Sequence, residues 1–198
     1  MLLKKIKNKI QDTIVLLIFL NLYKKEELIM RKTLIVIDMQ NDFIDGALGT
    51  KEAQAIVPNV KKKIEEYEAR GDEIVFTRDT HHSDYLNTNE GKHLPVEHCI
   101  EGTHGWQIAD ELYWMPRPIV DKPTFGNLHW KTWFDFEEVE LVGLCTDICV
   151  VSNALILKAM YPEINITVDA SCCAGVTPES HQAALTTMKM CQINVIGE

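Results

Sequence analysis

The order of apolar and polar positions predicts alternating strands and helices from residue 33 onward. Residues 33–38 form an apolar run that ends in an acid, as in a strand buried on both faces of a parallel sheet. In residues 53–70, apolar side chains recur with the helical period, and Gly71 follows as a C-cap. Further strands are predicted at residues 73–77, 118–120, 139–144, 164–168 and 193–196. Two more helices are predicted at residues 147–160 and 178–190, with Thr177 as N-cap of the second.

This alternation predicts an α/β fold, a doubly wound, mostly parallel six-stranded sheet with helices on both faces. Reactive groups in such a fold gather where the carboxyl ends of the strands meet. We therefore expect the chemistry at Asp38, Asp79, Lys122 and the turn after Leu144. The long polar stretch at residues 78–105 is predicted to be a functional loop.

Composition indicates a globular protein with small-molecule ligands. A chain of 198 residues with 46% hydrophobic content suits one domain. The net charge of -9 argues against a nucleic-acid partner, because such binding relies on a Lys/Arg surface that neutralises phosphates. Six cysteines without regular spacing are interpreted as free thiols in a reducing compartment, so we predict a cytoplasmic protein.

Residues 1–29 differ in character from the rest of the chain. They hold six lysines against three acidic residues and an apolar run at residues 14–20, too short for the roughly 20 residues that span a bilayer. No small-residue cleavage site follows that run. We interpret residues 1–29 as an extension upstream of a translation start at Met30; the alternative is a helix on a membrane surface. Residues 30–198 are expected to form the domain, without contact to a membrane.

Three residues near predicted strand ends could carry nucleophilic chemistry. Cys149 lies in the first turn of a predicted helix, where the macrodipole and free amides favour a thiolate; the alternative is a buried structural cysteine. Asp38 could act as a general base or serve as a turn residue. Lys122 could stabilise a thiolate or lie in solvent.

A second group offers nitrogen and oxygen ligands for a metal. Asp79 and His81 follow the second predicted strand, and Glu90 and His98 lie further along the polar loop. Mixed carboxylate and imidazole ligands suit a borderline divalent ion such as zinc, iron or manganese. The alternative is a hydrophilic lid with incidental histidines.

Five segments, taken in order, resemble the isochorismatase-like cysteine hydrolases, and among them the nicotinamidases (pyrazinamidases) most. They are VIDMQNDF at 36–43, RDTHH at 78–82, LPVEHCIEGTHGW at 94–106, DKPTFGN at 121–127 and GLCTDICV at 143–150. The resemblance runs from Met30 to the C-terminus. It implies the Rossmann-like three-layer sandwich of that family.

The resemblance also implies a set of site residues. The catalytic triad would be Asp38, Lys122 and Cys149. A cis peptide would join Leu144 to Cys145, and the backbone N–H groups of Cys145 and Cys149 would form the oxyanion hole. The metal, zinc first with iron or manganese as alternatives, would be held by Asp79, His81, Glu90 and His98.

The implied activity is hydrolysis of a small carboxamide, nicotinamide above all, to the acid and ammonia through a Cys149 thioester, within NAD salvage. Alternatives are another small amide, carbamoyl or ureido compound, or a non-catalytic member of the fold. Because family members are often oligomers, a homo-oligomer is expected.

One segment departs from the nicotinamidase pattern. Leu94-Pro95 stands where those enzymes commonly have Trp-Pro, so part of an aromatic substrate wall is missing. Phe43, Trp106 and Phe125 are predicted to supply aromatic surface instead.

Overall fold

The structure, a computed structural model, describes residues 32–198. The interpretation of residues 1–29 and of a start at Met30 lies outside the described residues. Six strands form one sheet: β1 (Lys32–Ile37), β2 (Glu73–Asp79), β3 (Ile119–Lys122), β4 (Glu138–Leu144), β5 (Asn165–Ala174) and β6 (Asn194–Ile196). Their order is β3-β2-β1-β4-β5-β6, and every pair is parallel.

Helices connect these strands. In chain order they are α1 (Asn41–Ile44), α2 (Lys51–Arg70), α3 (Asn89–His93), α4 (Trp130–Trp133), α5 (Val151–Met160) and α6 (Pro178–Met190). Two predicted caps are present. Gly71 ends α2 with φ of 76°, in the left-handed region that suits glycine, and the Thr177 side chain accepts the Ser180 N–H at the start of α6.

The sheet lies between two helical layers, which confirms the predicted α/β architecture. Leu34 and Val36 of β1 pack with α2 on one face, and Ile35 and Ile37 pack with α4, α5 and α6 on the other. All four side chains are fully buried, as expected for an apolar run in a parallel strand. Within residues 32–198, no helix is long and apolar enough to cross a membrane.

Several predicted boundaries shift by about two residues: β2 runs to Asp79, β3 to Lys122, and α2 begins at Lys51. Three differences are larger. β5 runs to Ala174, beyond the predicted end at 168, because Asp169 is paired in the strand with Lys63 and with Ser171. The predicted helix at 147–160 begins with a π-helical turn, Thr146–Val150, and only α5 is regular. The polar stretch at 78–105 contains α3 and a short 3₁₀ helix, Tyr85–Asn87.

Candidate active site

Three strands deliver the residues of the predicted triad to one edge of the sheet. Asp38 follows β1, Lys122 ends β3, and Cys149 lies in the π-helical turn after β4. Lys122 Nζ is 2.6 Å from Asp38 Oδ2 and 3.5 Å from Cys149 Sγ. The three side chains are almost completely buried. The sequence therefore predicted a group that the fold does bring into contact.

Asp38 is held in an unusual conformation by its neighbour in the sheet. Its φ of 47° lies in the left-handed region, which residues other than glycine adopt rarely and often at functional sites. Thr77 Oγ1 donates to Asp38 Oδ1 at 2.5 Å and accepts the Asp38 N–H at 3.1 Å. Thr77 thus fixes both the backbone and the carboxylate of Asp38.

The predicted metal ligands also come together. Asp79, His81, Glu90 and His98 each offer one ligand atom, and these atoms lie within 4.8 Å of one another. His81 Nε2 is 3.0 Å from Asp79 Oδ2 and 3.5 Å from Glu90 Oε1. The end of β2 and the polar loop therefore converge on a point where nitrogen and oxygen atoms face each other.

The protonation and hydrogen bonding of this group fit a cation. His98 Nδ1 lies 2.8 Å from the Val96 carbonyl oxygen, which can only accept, so Nδ1 is the donor and Nε2 is the ring nitrogen available to a metal. His81 Nε2 is buried. Although it lies close to the Asp79 carboxylate, it has no partner in hydrogen-bonding geometry. An orphaned buried nitrogen among carboxylates is what a metal ion would satisfy. These four residues are therefore a candidate divalent-metal site.

One cavity, of about 850 Å³, joins the two groups. Asp79, His81, Glu90, His98 and Cys149 all line it. Phe43 and Phe125, predicted as substrate-pocket residues, line it as well, and the Phe43 ring is 5.5 Å from the His98 ring.

Trp106 is not among the residues that line this cavity. Its indole N–H donates to Thr80 Oγ1 at 2.9 Å, and the Arg78 guanidinium lies 3.5 Å from the ring centroid. These two contacts hold the ring beside the end of β2. The structure thus brings two of the three predicted aromatic side chains to the cavity.

Comparison with known proteins agrees with this arrangement. The model of the Isochorismatase domain family matches residues 32–197. The chain belongs to the isochorismatase family. A probable inactive nicotinamidase of Arabidopsis thaliana is 30% identical over 175 residues, covering 79% of this chain and 87% of that protein.

Solved structures of similar proteins support the same family assignment. The crystal structure of a nicotinamidase/pyrazinamidase from Bacillus subtilis has a TM-score of 0.73 and 27% identity, covering 84% of this chain and 100% of that one. A pyrazinamidase of Pyrococcus horikoshii in complex with zinc has a TM-score of 0.71 and 26% identity, covering 85% and 99%. The predicted family, fold and enzyme class, a nicotinamidase-like hydrolase, are confirmed.

Burial dominates the electrostatics of the triad in this isochorismatase-family protein. Burial raises the pKa of Asp38, and the nearby Lys122 ammonium opposes that rise. Burial also raises the pKa of the Cys149 thiol well above its usual value. For Lys122, burial opposes the charge, but the neighbouring Asp38 outweighs it and raises the pKa, so the side chain stays an ammonium. The resting group is therefore a thiol beside a buried ion pair.

The sequence alone favoured a thiolate at Cys149, because that residue lies at the start of a predicted helix. The structure instead favours the neutral thiol. Cys149 has only 4% of its surface exposed, and removing a thiolate from water costs more than one helix terminus supplies. The thiol consequently needs a base at the moment of attack. Asp38, whose pKa is raised toward that of a thiol, is suited to this role.

The turn that carries Cys149 is fixed from two sides. The peptide between Leu144 and Cys145 is cis, as the family resemblance implies. The Ile148 and Val150 N–H groups both donate to the Cys145 carbonyl oxygen at 3.1 Å. The amides of Cys145 and Cys149 therefore belong to one tightly bonded turn.

Asn153 was not predicted from the sequence, yet it ties this turn to the loop after β3. Its Nδ2 donates to the carbonyl oxygens of Cys149 at 2.8 Å and Phe125 at 3.1 Å. Its Oδ1 accepts from the Asn127 N–H at 3.0 Å and from Trp130 Nε1 at 3.2 Å. An amide side chain in a mostly apolar helix was the only sign of it in the sequence.

Gln40 is a second positioning residue that sequence reasoning missed. Its Oε1 accepts the Asp79 N–H at 2.7 Å, and its Nε2 donates to the carbonyl oxygens of Asp79 and Trp106. Gln40 follows Asp38 by two positions, so the segment that supplies the predicted base also holds a metal-ligand residue. Its side chain is fully buried, and both its amide oxygen and its amide nitrogen form hydrogen bonds.

Proposed function

We propose that this enzyme hydrolyses the carboxamide of nicotinamide to nicotinate and ammonia through a thioester on Cys149. The contact that supports this function is Lys122 Nζ at 3.5 Å from Cys149 Sγ and 2.6 Å from Asp38 Oδ2. Cys149 and the candidate metal site line the same cavity, so one small molecule can reach both.

Acylation begins with proton transfer. Asp38 takes the Cys149 proton as Sγ attacks the amide carbon, so an S–C bond forms and the carbonyl π electrons move to oxygen. Lys122 stays charged and balances the negative charge that passes between Asp38 and Cys149. The backbone N–H groups of Cys145 and Cys149 donate to the oxyanion, where loss of one donor costs about 3 kcal/mol.

Collapse of this intermediate releases ammonia. The C–N bond breaks as Asp38 gives its proton to the leaving nitrogen, and the acyl group stays on Cys149. A water molecule then attacks the thioester while Asp38 accepts its proton. The S–C bond breaks, nicotinate leaves, and the proton returns to Sγ.

Asp79, His81, Glu90 and His98 would hold a divalent ion, with zinc as the first choice and iron or manganese as alternatives. When bound, such an ion would supply Lewis-acid chemistry that polarises a nitrogen heterocycle and its carboxamide. By holding the ion, the four residues would fix the position of the ring relative to Cys149, which lines the same cavity. Phe43, beside His98, offers a face for the ring to pack on.

Hydrolysis of nicotinamide would give this protein a role in NAD salvage. A cytoplasmic location is part of the proposal, and the six cysteines, none of them in a disulfide, agree with a reducing compartment. A homo-oligomer remains a prediction.

The direct test is ammonia release from nicotinamide by the full chain reconstituted with zinc. Wild type is expected to reach a kcat/KM of about 10⁴ M⁻¹s⁻¹ or more. Cys149→Ala is expected to abolish release while keeping the metal content. Cys191→Ala removes an exposed thiol and is the matched control, expected to act as wild type. Full activity in Cys149→Ala would contradict the covalent mechanism.

The ligand assignment has its own test. His81→Ala removes the orphaned nitrogen from the centre of the group and is expected to reduce bound zinc from about one ion per chain to a small fraction. His82→Ala changes the neighbouring exposed histidine and is expected to leave the zinc content unchanged. Metal content by atomic spectrometry decides, and an unchanged value for His81→Ala would refute the assignment.

A further inference from the structure

The cavity continues past Cys149 on the side away from the metal-ligand residues. Asp79 ends β2, Cys149 follows β4, and Gly175 and Val176 follow β5; all four residues line the cavity. In the sheet, β2 and β4 flank β1, and β5 lies beyond β4. Adjacent strands are about 4.8 Å apart. The cavity therefore extends about one strand spacing beyond the strand that leads to the nucleophile.

The first turn of α2 forms the other wall of this extension. Lys63 Nζ is 2.8 Å from Asp169 Oδ2, and Asn59 Nδ2 donates to the Ser171 carbonyl oxygen at 2.8 Å. The helix α2 and the strand β5 therefore run in opposite directions, so earlier residues of α2 contact later residues of β5. Ala53 precedes Asn59 by about 9 Å along the helix axis, or roughly three residues of strand. This brings Ala53, which also lines the cavity, level with the end of β5.

We call this extension the β5-side space, lined by Thr50, Ala53, Cys145, Gly175 and Val176. None of these five residues has a side chain that is charged near neutral pH. The Thr50 hydroxyl oxygen already accepts the Ala53 N–H at 3.0 Å, and burial raises the pKa of Cys145 to about 12, so that thiol stays neutral. A space with such walls favours an uncharged, apolar group.

The whole cavity is also large for the proposed substrate. At about 850 Å³ it falls in the upper part of the range, about 300–1,000 Å³, of pockets that bury drug-sized ligands. A single-ring carboxamide is much smaller than such ligands. With its ring at the metal-ligand residues and its amide oxygen at the backbone N–H groups of Cys145 and Cys149, that molecule reaches only the near edge of the β5-side space. It leaves the part lined by Thr50, Ala53, Gly175 and Val176 unused.

We propose that the preferred substrate is a ring carboxamide with an additional uncharged, apolar substituent that occupies the β5-side space. This inference rests on the proposed amide hydrolysis and adds the substrate class. We assign Val176, which lines the β5-side space, as the residue that determines this specificity. Its side chain is 53% exposed at the cavity wall, and its N–H donates to the Asp147 carboxylate, so the side chain can change without loss of that bond.

The experiment compares ammonia release from nicotinamide and from nicotinamides that carry a phenyl or butyl group at each free ring carbon in turn. For at least one position, kcat/KM is expected to exceed that of nicotinamide by about tenfold. Val176→Trp fills the space and is expected to reduce this ratio by about tenfold. Val176→Ala keeps the space open and is expected to retain the ratio.

Met190→Trp is the matched control, because Met190 is 81% exposed at the far end of α6 and does not line the cavity. It is expected to leave the ratio unchanged. A wild-type preference for nicotinamide over every substituted form would overturn the inference while leaving the proposed function intact. A preference that Val176→Trp does not alter would also overturn it. Absence of Cys149-dependent release from all of these amides would overturn both proposals.

Discussion

Two lysines of this protein each lie between carboxylates, but in very different surroundings. Lys63 connects α2 to the sheet, with its Nζ 2.7 Å from Glu140 and 2.8 Å from Asp169. Lys122 is buried beside Cys149, with its Nζ 2.6 Å from Asp38 and 3.7 Å from Asp79. Both lysines have raised pKa values, because in each case the partner groups outweigh the effect of burial. The lysines are alike, and the difference lies in their acidic partners.

The two carboxyl groups have pKa values that shift in opposite directions. For Asp169, burial raises the pKa, but hydrogen bonds from Lys63 and Ser171 outweigh it, so the pKa is lowered and the charge is stabilised. For Asp38, complete burial and the nearby Asp79 outweigh Lys122, so the pKa is raised. The Lys63–Asp169 pair thus holds its charge firmly, whereas the proposed catalytic pair, Lys122 and Asp38, keeps a carboxylate that takes a proton more readily.

The strongest way to test this comparison is to remove each lysine. Lys122→Met is expected to lower kcat for ammonia release by about 10³-fold or more, because the Asp38 and Cys149 charges lose their counterion. Lys63→Met is the matched variant and is expected to keep kcat within about twofold while lowering the free energy of unfolding by about 2 kcal/mol. Kinetics and urea unfolding measure both. Equal activity losses in the two variants would contradict the distinction.

A smaller effect is expected from Asn153, which positions the Cys149 turn without charge. Asn153→Asp keeps the shape but removes the two N–H donors to the Cys149 and Phe125 carbonyls. Displacement of the nucleophile is expected to lower kcat by about 10-fold to 100-fold with a smaller change in KM. Asn59→Asp removes an equivalent donor to the Ser171 carbonyl, away from the cavity, and is the control. A purely structural role for Asn153 would lower stability and leave kcat unchanged.

The smallest effect concerns pH. Because the folded pKa of Asp169 is below its ordinary value of 3.8, the unfolded chain binds its proton more readily. The stability from the Lys63 pair is therefore fully present above about pH 4 and is lost as pH falls through the folded pKa. The difference in unfolding free energy between wild type and Lys63→Met should shrink from pH 5 to pH 3. A difference that is constant over this range would show that Asp169 does not carry the effect.

Much of the fold followed from local pattern. Apolar runs such as residues 33–37 and the helical period of α2 predicted elements that are present. The end of β5 could not be predicted, because the Asp169 carboxylate within the strand is paired with Lys63, which is distant in sequence. The π-helical start before α5 likewise depends on how its turn bonds to Cys145.

The candidate site was partly predictable for a related reason. Strand ends in a parallel sheet meet at one edge, so Asp38, Asp79, Lys122 and the turn after Leu144 could be grouped from their positions. The family resemblance was needed to single out Asp38, Lys122 and Cys149 as a triad. Thr77 and Asn153 act through hydrogen bonds to residues on other elements, and a linear sequence does not display such pairs.

The central claim is that Cys149 becomes acylated in a site built around a buried lysine and aspartate. The most direct measurement is mass spectrometry of zinc-reconstituted protein quenched in acid during turnover of nicotinamide, followed by digestion. A nicotinoyl group is predicted on the peptide that contains Cys149, absent from Cys149→Ala and retained in Cys191→Ala. Turnover with no adduct on that peptide, or with the adduct on another cysteine, would contradict the account.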